Sequence, residues 1–301
     1  MELRQLKYFT KVAETLNFSE AANILCITQS TLSQQIKQLE QEFNAPLFVR
    51  DSHSVRLTEV GEELLPYAMK TIHDADLCFD RVNDLQSLLT GTLNIGVTYS
   101  FSPILTETLL VFMKQYPHVH LNIFYKPMEE LMDMLLNHQV DFVLAFRSSG
   151  YNEEIESHTL FDNNLAAIVS VNHPLAEKAE IGVEELGRYE IALPSKGLQA
   201  RNAFEQVRER YFNSLNVKIE LNEVNILLKL IRQSQLVTIL AEASVHDEAG
   251  VKAIPLDYPG NEMQGCVHTL RNSYRKRSML EFVRMLSEAN AVKERIRHWI
   301  D

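Results

Sequence analysis

The stretch from Asn17 to Leu57, NFSEAANILCITQSTLSQQIKQLEQEFNAPLFVRDSHSVRL, decides how the rest of the chain is placed. It reads as two short amphipathic helices joined by a tight turn, followed by a small hairpin that carries arginines. Ser19 is placed to cap the first helix, because a hydroxyl accepts a hydrogen bond from an unpaired N–H at a helix start; Ala21, Ala22 and Leu25 form its apolar side. Thr28 is placed to cap the second. There Leu32, Ile36, Leu39 and Phe43 recur at helical spacing and form one stripe. Ser30, Gln34, Lys37, Gln38 and Gln41 fall opposite. Amides and hydroxyls both donate to and accept from base edges, so this face suits a DNA major groove. A polar helix face alone is commonly just hydrated. Helix, turn, helix and hairpin in this order near the amino terminus form a winged helix-turn-helix layout, which favours the DNA reading.

The pattern Ala21-Ala22-x-x-Leu25-x-x-Thr28-Gln29-Ser30-x-Leu32-Ser33-x-x-Ile36-x-x-Leu39-Glu40, then Pro46-Leu47-Phe48-x-Arg50 and Leu57-Thr58-x-x-Gly61, resembles the DNA-binding domain of LysR-type transcriptional regulators. The match is long and gapless. It departs at Ser30, where proline is usual, and at Phe43-Asn44, where Leu-Gly is usual. Asparagine tolerates a left-handed backbone, so Asn44 can still end the helix. The DNA-contact set expected is Thr28, Gln29, Ser30, Thr31, Ser33, Gln34, Lys37 and Gln38, with Arg50, His53 and Arg56 of the hairpin on phosphates or the minor groove. Arg56 reads equally as a solvated surface arginine.

At 301 residues with 46% hydrophobic and 23% charged content, the chain has the composition of a globular protein with two or three cores. It holds no apolar run of membrane-span length, and Met1-Glu2-Leu3-Arg4-Gln5 opens a polar helix rather than a signal peptide, which predicts a cytoplasmic protein without membrane contact. The three cysteines, Cys26, Cys78 and Cys266, form no C-x-x-C pair, so neither a disulfide framework nor a zinc site is expected. The net charge of −11 is not carried by the first 58 residues, where Arg4, Lys7, Lys11, Lys37, Arg50 and Arg56 balance Glu2, Glu14, Glu20, Glu40, Glu42 and Asp51. A neutral head on an acidic chain favours a few placed contacts over indiscriminate phosphate attraction.

A first helix over Leu3 to Leu16, burying Leu6, Phe9, Val12, Ala13 and Leu16, braces the pair behind it. Thr58 can cap a long helix to about Leu89, where Leu65, Ala68, Ile72, Ala75, Phe79, Val82, Gln86 and Leu89 keep a three-four alternation. Such a seam needs a partner, most simply its own copy. Pro66 is expected to kink it. The resemblance makes it the linker that dimerises two heads on an inverted-repeat site of double-stranded DNA; a homotetramer and RNA polymerase are the further partners of that reading.

After Thr90-Gly91 the pattern alternates strand and helix: Leu93 to Val97, Ser102 to Tyr116 with Ser102 as cap, His120 to Tyr125, Glu129 to Asn137, and Phe142 to Ala145. A second block has strands near 165–171, 190–193, 218–221 and 236–240, with helices near 198–212 and 224–233. The chain then returns through Gly265 to Leu270 and closes with a helix from Ser278 to Trp299. The fold class is α/β with an all-α winged-helix head: residues 1–58 bind DNA, 59–89 link, and 90–301 form two lobes (about 90–161 with 266–301, and 162–265). The resemblance implies that the lobes are arranged like a periplasmic binding protein.

Ligands of open α/β sheets bind beyond the carboxyl ends of the strands. That rule selects Thr98, Tyr99, Ser100, Phe101 and Ser102; Arg147 with Ser148 and Ser149; and Pro194, Ser195, Lys196 and Gly197 before a helix. Ser100, Arg147 and Ser195 match positions where related regulators touch effectors. Lys126, at a position where many relatives have serine or threonine, adds a cation. The expected ligand is a small anionic metabolite, with no cofactor. Catalytic readings fare poorly, since no G-x-S-x-G, P-loop or H-E-x-x-H is present and His118-x-His120 lacks a third ligand. Peroxide sensing, which in one branch of the family uses a cysteine pair, is disfavoured with Cys266 alone in the second half. The competing reading is a cytoplasmic ligand sensor whose amino-terminal region mainly dimerises it.

Overall fold

The computed structural model describes residues 1–51, 54–85, 89–147, 150, 152–211, 215–246, 248–289 and 292. His53, Gln86, Ser148, Ser149 and the end of the last predicted helix, through Trp299, lie outside the described residues. The chain forms two compact units, the second beginning at Leu89.

In the first unit, α1 (Leu3–Thr15), α2 (Phe18–Ile24) and α3 (Gln29–Phe43) precede a hairpin of β1 (Phe48–Arg50) and β2 (Val55–Leu57), and α4 (Glu59–Leu85) follows. Its core gathers Leu6, Phe9 and Val12 of α1, Ala21 and Ala22 of α2, and Leu32, Ile36 and Leu39 of α3, with Leu47, Phe48 and Ala68. Asn17, not Ser19, caps α2: its side-chain oxygen accepts from the N–H groups of Ser19 at 2.9 Å and Glu20 at 3.1 Å. Leu16 takes the left-handed turn that ends α1 and is 47% exposed. Phe43 likewise stays 40% exposed, because the stripe runs out of core where Asn44 ends α3 with φ +51°.

Thr58 does cap α4, accepting from Gly61 N–H at 3.0 Å while donating to the Pro46 carbonyl at 2.7 Å. Gly61 is required there, since a Cβ would lie 2.3 Å from the Leu47 carbonyl oxygen. The helix continues through Pro66. Its expected seam divides: Ala68 is 1% exposed within the head's own core, and the partly buried Leu65 and Ile72 pack against that core. Phe79, Val82 and Leu85 are 74%, 53% and 87% exposed. Leu89 follows the helix and packs on the core of the second unit instead.

The second unit opens with β3 (Gly91–Val97), a short turn of helix at Tyr99–Phe101, α5 (Ser102–Gln115), β4 (Val119–Tyr125), α6 (Met128–Leu136) and β5 (Phe142–Phe146). It continues with β6 (Ile155–Ser170), β7 (Ile181–Gly182), β8 (Ile191–Pro194), α7 (Gln199–Tyr211), β9 (Val217–Leu221), α8 (Val224–Arg232), β10 (Thr238–Ala241), β11 (Val251–Asp257), β12 (Glu262–Leu270) and α9 (Arg277–Ser287). Strands β4, β3 and β5 are parallel, and β12 closes that sheet antiparallel to β5. The long β6 was foreseen only in its second half. Its first half, from Ile155 to Asn164, pairs with β12; from Leu165 it pairs with β10 and β11. One strand thereby enters two cores, one around Phe101, Phe112, Phe142 and Phe282 and another around Ile168, Phe204, Leu227 and Ile239. Asn163 and Asn261 stitch the crossing: Asn163 Oδ1 accepts from Ala243 N–H at 2.8 Å, and Asn261 holds both polar backbone atoms of Leu165.

Candidate functional site

The α3 face is built from its cap upward. Thr28 Oγ1 accepts from Thr31 N–H at 3.2 Å and sits 2.9 Å from the Ser30 hydroxyl. This anchors the helix start while Gln29, Ser30, Thr31, Gln34, Lys37 and Gln38 remain exposed, and Ser33 is half-buried. Directly behind them Leu32, Ile36 and Leu39 have no exposure at all, so the face is fixed in rotation about the helix axis. At the hairpin, Arg50 lies 4.2 Å over the Phe18 ring and 3.7 Å from Glu40, which braces β1 against α2 and α3. Arg56 is free-standing by comparison, its side chain 68% exposed and 3.8 Å from Asp51.

In the second unit a cleft opens between the two cores. One wall is Thr98, Tyr99, Ser100, Lys126, Pro127 and Met128, after β3 and β4; the other is Pro194, Gly197, Leu198, Gln199 and Ala200, with Val224 and Leu240. Of the expected ligand residues, the structure brings Thr98, Tyr99, Ser100, Lys126, Pro194 and Gly197 to this cleft. It leaves the others out of the lining. Phe101 is a core residue, fully buried with ring centroids 5.6 Å from Phe146 and 5.4 Å from Phe161. Ser102 does not cap α5; its hydroxyl donates to the Tyr99 carbonyl at 2.7 Å. Arg147 is drawn along the sheet to Gln264 Oε1 at 2.8 Å and Thr159 Oγ1 at 2.9 Å. Ser195 donates its N–H to Leu221, and Lys196 is exposed.

Met128, Gln199, Val224 and Leu240 were not singled out from the sequence as ligand residues; Tyr99 was, by its place at a strand end. Its phenol donates to Asn225 Oδ1 at 3.1 Å and is pushed up to about 12 by burial, with the carboxylates of Glu248 and Glu223 adding to the effect, so it stays a neutral donor. Lys126 pairs with Glu130 at 2.7 Å. Beneath the Pro194 wall lies the buried Arg201, which donates to the Pro194 carbonyl at 3.0 Å. Burial disfavours its charge, and the hydrogen bonds its guanidinium donates to Glu205 and Glu220 more than reverse this. Among the described residues no group of three His, Cys, Asp or Glu could hold a metal; His118 and His120 are both exposed.

A winged helix-turn-helix with an uncovered polar recognition helix, followed by a two-core α/β unit with a cleft between the cores, defines a ligand-responsive DNA-binding protein. Residues 3–62 match the family described as bacterial regulatory helix-turn-helix protein, lysR family, and residues 86–291 match the LysR substrate binding domain. The chain belongs to the LysR family of transcriptional regulators, and is a regulator rather than an enzyme. It is 29% identical over 263 residues to the transcriptional dual regulator GltC of Bacillus subtilis, covering 86% of this chain and 87% of that one. It is 30% identical over 222 residues to the HTH-type transcriptional regulator YtlI of Bacillus subtilis, covering 73% and 71%. Its fold is similar to full-length OxyR of Pseudomonas aeruginosa (TM-score 0.70, 21% identity, 97% and 95% covered) and to CbnR complexed with its target DNA (0.66, 19%, 96% and 99%). No helix among the described residues is long and apolar enough to cross a membrane.

Proposed function

We propose that this regulator binds an inverted-repeat promoter site as a homodimer, and that a small metabolite with an anionic group, bound between the two lobes, modulates that binding. The observation that carries the DNA half is the α3 face: Gln34, Lys37 and Gln38 exposed over a stripe with no exposure. Thr28, Gln29, Ser30, Thr31 and Ser33 complete the groove contact, and Arg50 and Arg56 serve the backbone. Phe79, Val82 and Leu85, apolar yet exposed on α4, support a dimer joined by residues 59–89. Leu110 and Val111 of α5, 65% and 52% exposed, support further self-association into a tetramer. Such a protein works in the cytoplasm, where it meets promoter DNA and RNA polymerase.

For the ligand, Thr98 and Ser100 offer hydroxyls, Lys126 a charge and the start of α7 its N–H groups. Ligand bound across the cleft favours one lobe arrangement, a population shift that resets the heads. The test is a melting-temperature panel of small metabolites on the full chain, since a ligand bound only by the folded state raises its stability. A carboxylate metabolite is expected to raise the melting temperature of the natural protein and not that of Lys126→Ala; equal shifts in both would remove Lys126 from the site.

A further inference from the structure

Strand β3 covers β5 only as far as Leu144: Ile95, Gly96 and Val97 face Phe142, Val143 and Leu144, and Thr98 N–H donates to the Leu144 carbonyl at 2.9 Å. The chain then turns off into Tyr99–Phe101. The N–H and C=O of Phe146, two residues further along β5, therefore meet no strand on that edge. Phe146 is 1% exposed, and buried backbone groups of this kind need partners.

The partner comes from the opposite lobe. Phe146 N–H donates to Gln199 Oε1 at 3.0 Å, and Gln199 Nε2 donates to the Phe146 carbonyl at 2.8 Å. The carboxamide of one side chain thus stands in for the peptide group of the missing strand. Gln199 is the first residue of α7 and lines the cleft, and the position lies at the carboxyl end of the strands, where sheets of this type receive ligands. A second side-chain bond, Tyr99 to Asn225, crosses the same cleft.

We propose that the Phe146 main chain forms a carboxamide-reading site inside the cleft, and that Gln199 occupies it as an internal latch holding the lobes together until a ligand displaces it. This rests on the cleft being the effector site. The geometry selects a planar group with one donor and one acceptor. A carboxylate fails, because both its oxygens accept and the Phe146 carbonyl has no proton to offer.

The test is amide hydrogen exchange of the full chain, read at Phe146 by mass spectrometry. Gln199→Ala should speed exchange there on the order of tenfold, the loss expected for a local pair of hydrogen bonds, with the head unchanged. Gln199→Glu, nearly the same shape, should do likewise at neutral pH and serves if the alanine variant folds poorly. Propionamide, close to the deleted fragment, should restore protection in Gln199→Ala, and propionate should not. Unchanged exchange at Phe146 in both variants overturns the latch. Restoration by neither compound, or equally by both, overturns the carboxamide site. Since no effector takes part, either result leaves the ligand reading of the cleft to its own melting-temperature test.

Discussion

Glu40, on the recognition helix, accepts a hydrogen bond from the N–H of Leu47 at 2.9 Å, and the same oxygen receives Phe48 N–H at 3.3 Å. One carboxylate thereby sets where the hairpin leaves α3. Glu40→Ala strands both N–H groups and is expected to destabilise the head by about 1–3 kcal/mol. Glu40→Gln, which keeps one acceptor, should fall between. Denaturant unfolding of the three proteins checks the order.

Arg50 and Arg56 separate by the same kind of reasoning. Arg50 is stacked on Phe18 and paired with Glu40, so Arg50→Ala should lower both stability and DNA affinity. Arg56, largely exposed, should cost affinity alone, with the slope of log affinity against log salt reduced by about 1 per lost phosphate contact. Titrations at several salt concentrations distinguish the two.

On α4, Phe79→Glu should shift the sedimenting species toward monomer with little change in the head's unfolding, because the ring is 74% exposed within one chain. Ala68→Glu should instead unfold the head, since it forces a charge into a site with 1% exposure.

His268 gives a pH prediction. Its Nε2 lies 3.2 Å from the Ala145 carbonyl, which can only accept, so Nε2 carries the proton and Nδ1 accepts from the Ser157 hydroxyl at 2.8 Å. Burial lowers this imidazole to about 4. Between the unfolded value of about 6.5 and this one the unfolded chain binds the extra proton, so stability falls as pH drops through that window and levels off below it. The full loss is about 3 kcal/mol. His268→Gln should flatten that part of the stability profile, measured by denaturant unfolding from pH 7.5 to 5.

Much of this was legible in residue patterns, and the failures have physical causes. Leu32, Ile36 and Leu39 declared α3 because a helical period must bury one face. Ser19 and Asn17 are both good caps two residues apart, and only the backbone path chooses between them. The first half of β6 carries polar residues such as Asn163 and Asn164, so no apolar alternation announced it. The strand-end rule named Thr98, Ser100 and Pro194, and comparison with the family pattern named Lys126, all of which line the cleft. Arg147 lies outside the lining, held by Gln264 and Thr159 from strands distant in sequence. The rule missed Gln199 because what that residue binds is main chain, which leaves no mark in a sequence.

The α3 face is proposed to read bases in paired half-sites. Duplexes selected from a random pool by the natural protein should converge on an inverted repeat, and titration of that site against a scrambled duplex should show Gln34→Ala losing about 1–3 kcal/mol of preference per affected base pair while keeping its fold. Selection of no repeat, or full discrimination retained by Gln34→Ala, would contradict it.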